Sequence, residues 1–394
     1  MGMNLPSACS PPGVYAPIRT LMLHLTEDCN LRCSYCFVKK SPRRMGSETA
    51  RKAVEFFLAR SVSGAEYDIH LNFFGGEPFL ELDRMEEVIA FARQPRPNVY
   101  KNVIFSATTN GTIASGRVER MVREARMNLL ISLDGDVQAS GYRRFASGQS
   151  SYGVVSRNLP RLVSWSPEAS VRMSFHPGAL DLVGQARHGL DLGAPLVVLA
   201  PILDADWHDH VDALEGAFQA LADWFIAEAR QGRILALDVT HRLLQQYHHV
   251  LWGSPRPVHP CRAGSSLLGV DPDGNVLPCH RFLYRPEDWL GTVEQVRLPR
   301  ARQRHLQASP SDSPGCEVCP ATSICCGGCQ AIARNAGLGW NETHPSYCIV
   351  MQAQMRAILR IYHTLTAEAV PCFFQQVLQC PRIQTGALTE PSTR

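Results

Sequence analysis

Between residues 20 and 232 the chain alternates two hydrophobic rhythms. Short runs with apolar residues at every second position fall at 20–26, 68–74, 102–108, 128–134, 171–176 and 195–202. Segments with helical spacing follow them near 47–60, 81–93, 114–125, 151–163, 180–190 and 209–231. A period of two marks a strand with two unlike faces, and a period near 3.6 marks a helix with one apolar stripe. Strand–helix repeats of this kind predict a parallel α/β sheet. Their even spacing favours a partial, TIM-like (β/α)6 barrel over a doubly wound sheet.

The strand faces carry more information. Leu21, Leu23 and Leu25 alternate with Met22, His24 and Thr26; Leu71 and Phe73 with His70 and Asn72; Val171, Met173 and Phe175 with Arg172, Ser174 and His176. Successive strand side chains point to opposite faces, so the apolar set suits the helices and the polar set converges on the barrel interior. A closed eight-stranded barrel fills that space with branched apolar residues. This pattern predicts instead a polar, ligand-sized cavity lined by His24, Ser106, Ser132, Asp134, Arg172 and Ser174.

The flanks read differently. Residues 1–18 form a Pro/Ser/Gly-rich tail, 19–232 the barrel, 233–260 a helical connector, 261–350 a loop-rich cysteine-dense domain, and 351–394 a terminal helix and tail. The formal charge of +3 is too small to mark a nucleic-acid or anionic-membrane partner, and no apolar run is long enough to span a bilayer. Eleven of the fourteen cysteines stand in two concentrations. In a long chain without a secretory signal, thiols in such arrays point to metal or cluster ligation in a reducing cytoplasm. Asp204, Asp206, His208 and His210 form a tempting metal cluster, but Asp at a helix start more often caps it.

The first concentration is Cys29-x3-Cys33-x2-Cys36, directly after the first strand. Three thiolates on one short loop can hold three corners of a [4Fe–4S] cube and leave one iron open to a small molecule. The alternative is zinc. The segment, with Tyr35 before its third cysteine, resembles the signature of the radical S-adenosylmethionine (SAM) superfamily. Gly75-Gly76-Glu77-Pro78 follows the second strand, as in that family's methionine-binding motif. Asn110 follows the third strand, and Ser132-Leu-Asp134 ends the fourth. The resemblance implies that Cys29, Cys33 and Cys36 hold the cluster. It also implies that Tyr35, Gly75, Gly76, Glu77, Pro78, Asn110, Ser132, Asp134, Arg144 and Ser174 surround SAM.

The second concentration runs Cys261…Cys279, then Cys316-x2-Cys319-x5-Cys325-x3-Cys329, then Cys348. This resembles the SPASM extension of many radical SAM enzymes. By that resemblance Cys316, Cys319, Cys325 and Cys348 bind one auxiliary cluster, and Cys261, Cys279 and Cys329 the other. The latter set has no obvious fourth thiolate, and His259 is one candidate. Residues 270–276 read as a hairpin turn that presents Cys279. Sulfatase-maturing relatives place a general-base Asp just after the cysteine matching Cys279; here it is His280, a base suited to neutral pH.

Together these features imply three [4Fe–4S] clusters and SAM as cofactors. They imply a ribosomally made precursor peptide as substrate, a flavodoxin- or ferredoxin-like reductant, and a monomer. The expected reaction is hydrogen abstraction from a side-chain carbon, often Cβ, then net oxidation to a cross-link. A formylglycine-generating sulfatase maturase or a small-molecule dehydrogenase or epimerase are the alternatives.

Overall fold

The computed structural model describes residues 18–61, 68–95, 102–252, 261–296, 315–319, 321–325, 327–340 and 342–378. Most of the N-terminal tail, the connector from Gly253 to Pro260 with His259, Cys326, Cys380 and the C-terminal tail lie outside the described residues.

Six parallel strands, β1 Thr20–Thr26, β2 Ile69–Gly75, β3 Val103–Thr109, β4 Asn128–Ser132, β5 Ser170–Phe175 and β6 Val197–Pro201, stand side by side in chain order. The helices between them are α1 Ser47–Arg60, α2 Leu82–Ala92, α3 Gly116–Ala125, α4 Tyr152–Trp165 and α5 Leu182–Asp191, with α6 Val211–Arg230 after β6. This is the partial (β/α)6 barrel that the alternation predicts. The outward strand residues are sealed: Leu21, Leu23, Leu71, Phe73, Ile131, Val171, Met173 and Phe175 have no exposed surface. They meet the apolar faces of the helices in one continuous core. Burial of a side chain of this size contributes about 1.5–3 kcal/mol, so the alternation fixes the register of each strand.

The sheet continues past the barrel. β7 Leu267–Val270 pairs in parallel with β1, joining Leu21 to Leu268 and Leu23 to Val270. β8 Asn275–Leu277 and β9 Gly291–Thr292 follow antiparallel. The predicted hairpin between β7 and β8 turns on Asp271. Its Oδ1 accepts from the amides of Asp273 and Asn275, its Oδ2 from Asn275 Nδ2 at 2.8 Å, and Gly274 takes a φ of +86°. The hairpin therefore seats the cysteine-dense region against the first barrel strand. Beyond it come α7 Asp238–Leu251 before the hairpin in sequence, and α8 Thr322–Cys325, α9 Gln330–Asn335 and α10 Pro345–Ala367 after it. α10 packs along α6, tied by Arg360 to Gln219 and Asp223. No described helix is long and apolar enough to cross a membrane.

Candidate active site

The loop after β1 is held by both neighbours. Gly75, at φ +141°, and Gly76 run so close to residues 26–28 that a Cβ at Gly76 would lie 1.9 Å from the Asp28 carbonyl oxygen. Only glycine fits there. Glu77 then turns inward with no exposed surface. Its carboxylate accepts from Thr109 Oγ1 at 2.8 Å, the Asn110 amide at 2.7 Å and the Phe79 amide at 3.1 Å. Asn110 in turn directs its Nδ2 to Cys29 Sγ at 3.6 Å and to Asn30 Oδ1 at 2.8 Å. Glu77 is thus a lock between two loops, and Pro78 stands behind it as the start of a buried turn. Neither lines the cavity, whereas Gly75, Gly76 and Asn110 do.

Tyr35 is anchored on the opposite side. Its hydroxyl donates to Asp134 Oδ2 and accepts from Arg143 Nη1 at 3.0 Å. Asp134 Oδ1 accepts from the Ser174 amide at 2.9 Å. Burial pushes the Tyr35 phenol well above its ordinary value. Asp134 therefore acts as a strut between β4, β5 and the cysteine loop. Arg144, the expected SAM contact, is exposed and spends its guanidinium on the Gly141 and Gly148 carbonyls. Arg143 takes the inward place, because the chain bends so that one member of the pair faces in.

Between these supports lies a cavity of about 910 Å³. Cys29, Cys33 and Cys36 line it, with Thr108, Ser132, Ser174 and Arg172 from the strand interiors. Phe74, Val38 and Ile202 add apolar surface, so the lining is mixed rather than uniformly polar. Burial pushes the Cys33 thiol up to about 11 and raises that of Cys29, while Lys40 Nζ lies 3.1 Å from Cys36 Sγ. Three convergent thiols, a flanking ammonium and a glycine-edged recess are a donor set that fits an iron–sulfur cluster with a small zwitterion beside it.

Three residues expected in the lining are not there: Asp134, buried as the strut just described, Ser106 and His24. Ser106 accepts from Asn72 Nδ2 at 2.8 Å, below the floor. His24 is fully buried, packed edge-on to Phe74 at 5.0 Å and stacked on His280 at 6.4 Å. Burial holds His24 down to about 3. His280 also sits among rings, 4.8 Å from Phe74 and 5.8 Å from Phe37. Burial, with the charges of Arg281 and Arg172 near it, keeps its pKa well below the usual histidine range. The next residue, Arg281, reaches the cavity; it lies 4.6 Å above the Phe37 ring and pairs with Asp204 at 2.7 Å. The remaining polar residues of that group cap a turn: Asp206 accepts from the His208 amide and contacts its ring. Lys40 and Arg281 carry no mark of a site residue in the sequence, whereas Arg143 stands there in a pair with Arg144 after the fourth strand and Asp204 in the Asp/His group before the sixth helix. No periodicity marks a loop side chain, and proximity in sequence to Cys36 and Cys279 was the one available signal for Lys40 and Arg281.

The second cysteine array separates into two groups. Cys316, Cys319, Cys325 and Cys348 line one small cavity of about 400 Å³ beside Met351. Burial raises the thiols of Cys261 and Cys279, and Cys329 lies near enough to both to raise them further. Four thiols around one apolar recess fit a cluster with full thiolate ligation, and the three-thiol group fits one with an open corner. Cys279 and Cys329 also pack into the same apolar cluster as Cys36, Phe37 and Phe74. Among the described residues no three His, Cys, Asp or Glu side chains close on one point as ligands of a single metal ion.

Residues 23–162 match the family model of the Radical SAM superfamily, and the chain carries a radical SAM domain. A serine-type anaerobic sulfatase-maturating enzyme of Klebsiella aerogenes is 24% identical over 364 residues, 85% of this chain and 84% of the relative. A PqqA peptide cyclase of Xanthomonas oryzae pv. oryzae is 24% identical over 345 residues, 80% and 84% of the two chains. The solved structure of anSMEcpe with bound AdoMet and Cp18Cys peptide aligns at TM-score 0.74 and 18% identity, covering 89% of this chain and 99% of that one. Streptococcus suis SuiB bound to the precursor peptide SuiA aligns at 0.57 and 13%, covering 84% and 76%. At these identities the structural likenesses establish the fold.

Proposed function

We propose that this chain is a radical SAM maturase of a ribosomally made peptide, with three [4Fe–4S] clusters. Cys29, Cys33 and Cys36 hold the first. Cys316, Cys319, Cys325 and Cys348 hold a fully ligated auxiliary cluster, and Cys261, Cys279 and Cys329 one with a corner open. The observation that supports the reading is that Cys36, Phe37, Phe74, Cys279 and Cys329 all pack against one small apolar cluster, so the thiols proposed for the first cluster stand near those proposed for the open-cornered one. Once bound, the first cluster and SAM supply a 5′-deoxyadenosyl radical that takes a hydrogen atom from the substrate.

The protein's own groups do the rest. Gly75 and Gly76 leave backbone room for the methionine end of SAM. Ser132 and Ser174 face its ribose, and Tyr35, tied by Asp134 and Arg143, fixes the loop. The apolar wall of Phe74, Val38 and Ile202 excludes water from a reactive radical. When bound, the open-cornered cluster would accept the second electron; with loss of a proton, the substrate radical would then close an intrapeptide carbon–carbon, ether or thioether bond in a net two-electron oxidation. A flavodoxin- or ferredoxin-like protein supplies the reducing electron.

The likeness to sulfatase-maturating enzymes supports a second reading, formylglycine formation, with His280 as base. The seating of His280 among Phe37, Phe74 and His24 weighs against it, because its Nδ1 is buried without a hydrogen-bond partner. Anaerobic reconstitution tests the class: about twelve irons per chain and SAM-dependent 5′-deoxyadenosine are expected, and zinc without iron overturns it. Mass spectrometry of a co-expressed precursor peptide tests the reaction. Loss of two hydrogens per modification with a cross-link on fragmentation is expected; aldehyde formation on a sulfatase-derived peptide instead would establish the second reading.

A further inference from the structure

Cations crowd the cavity. Lys40, Arg143, Arg172 and Arg281 all line it, against the single carboxylate of Asp204. Three of the four have a named counterpart: Lys40 faces Cys36 Sγ, Arg143 joins Tyr35 on Asp134, and Arg281 pairs with Asp204. Arg172 makes no hydrogen bond or ion pair with a described residue. The charge that acts on it most strongly is another cation, Arg281. It stands at the register of Ser132, its partner on β4, so its base is fixed by the sheet and its guanidinium reaches into the space above. A guanidinium with no direct anionic partner in an enclosed site is costly, and a second one nearby increases the cost; Asp134 and the Tyr35 oxygen act on it only from a distance. Such an arrangement is relieved by a ligand that brings a negative charge. The planar fork of arginine matches a carboxylate in two parallel hydrogen bonds.

We propose that Arg172, with Arg281 beside it, forms a carboxylate-binding subsite for the substrate, so that the residue presented to the radical, or its immediate neighbour, is acidic or is the peptide's C-terminus. The assignment rests on the peptide-maturase reading but concerns the subsite alone. The position favours substrate over the carboxylate of SAM. The recess for the methionine end is edged by Gly75 and Gly76 at the end of β2, three strands from Arg172 on β5; Arg172 stands between Ser132 and Ser174, on the ribose side, and feels Arg281 from the cysteine-dense region. Asp204 then has a second use: as the present partner of Arg281, it keeps that guanidinium paired until an incoming carboxylate competes for it.

The test uses the reconstituted, SAM-loaded enzyme and three blocked probes in equilibrium dialysis. N-acetylglutamate α-amide carries a side-chain carboxylate, N-acetylalanine a terminal one, and N-acetylglutamine α-amide none. The wild type is expected to bind one of the two carboxylates at least tenfold more tightly than the glutamine probe, and which one identifies the source of the charge. Arg172→Gln should abolish the preference and Arg172→Lys should keep part of it. No preference in the wild type overturns the proposal. So does a loss of SAM binding in Arg172→Gln in step with the loss of preference, because that assigns the arginine to the carboxylate of SAM. A clear preference in an enzyme that modifies no peptide keeps the subsite and removes the peptide reading instead.

Discussion

Glu77→Ala removes the carboxylate that joins the glycine-rich loop to the loop after β3. The side chain is fully buried and accepts three hydrogen bonds, from Thr109 Oγ1 and from the amides of Asn110 and Phe79. Burial raises its pKa, so the charge itself opposes folding and the stabilisation lies in the three matched donors. Leaving a buried donor unmatched costs about 1–3 kcal/mol; three of them, with some water entering the space, give about 3–6 kcal/mol. An unfolding entropy of about 0.8 kcal/mol/K for a chain of this length converts that to a fall in Tm of about 4–7 °C. Glu77→Gln keeps the shape and one acceptor oxygen but turns an NH2 toward a donor, so it should lose about half as much. Scanning calorimetry of the anaerobically reconstituted protein reads both values. Iron content reads the consequence, because freeing Asn110 removes a donor from Cys29 Sγ and loosens the loop. A Glu77→Ala protein within about 1 °C of wild type and with full iron would refute the idea that this carboxylate is the lock.

Other outcomes follow from the same geometry. His24 is held down to about 3 by burial, so as pH falls below 6.5 the unfolded chain takes up a proton that the folded one refuses. Stability falls with pH across that window, and urea unfolding at pH 7 and pH 5 should show His24→Phe losing about 2 kcal/mol less than wild type; equal losses would sink this. Lys40→Gln removes a cation from Cys36 Sγ and should lower the potential of the SAM-binding cluster, with Lys40→Arg restoring it, in a redox titration followed by electron paramagnetic resonance. Arg143→Gln strands Asp134 and Tyr35 and should cost about 3–5 kcal/mol, whereas Arg144→Gln, on the surface, should cost about 1 kcal/mol or less; the reverse order in thermal melts would refute the placement of the pair.

The sequence by itself determined the barrel, and the reason is local. Alternating faces on strands such as Leu21–Thr26 and helical spacing on segments such as 47–60 are properties of neighbouring residues, and both survive unchanged in the fold. Glycines 75 and 76 were legible through the motif they share with the radical SAM family, while the close approach of the loop after β1 that requires them is a tertiary contact. The cysteine spacing marked the thiols that the fold gathers around the cavity and the smaller recess, since thiols in such numbers have few other uses. What the tertiary structure decided was the direction of single side chains. It turned Arg143 inward and Arg144 outward, tucked His24 and His280 among aromatic rings, made Glu77 and Asp134 struts rather than contacts, and brought Arg281 from the hairpin beside Arg172 from β5. These outcomes depend on residues from about 30 to more than 200 positions apart meeting in space, as Glu77 meets Asn110, Tyr35 meets Arg143 and His24 meets His280. A pattern of period two or 3.6 carries no record of such meetings; the barrel brings most of them about, and the pairing of β7 with β1 those that involve the hairpin.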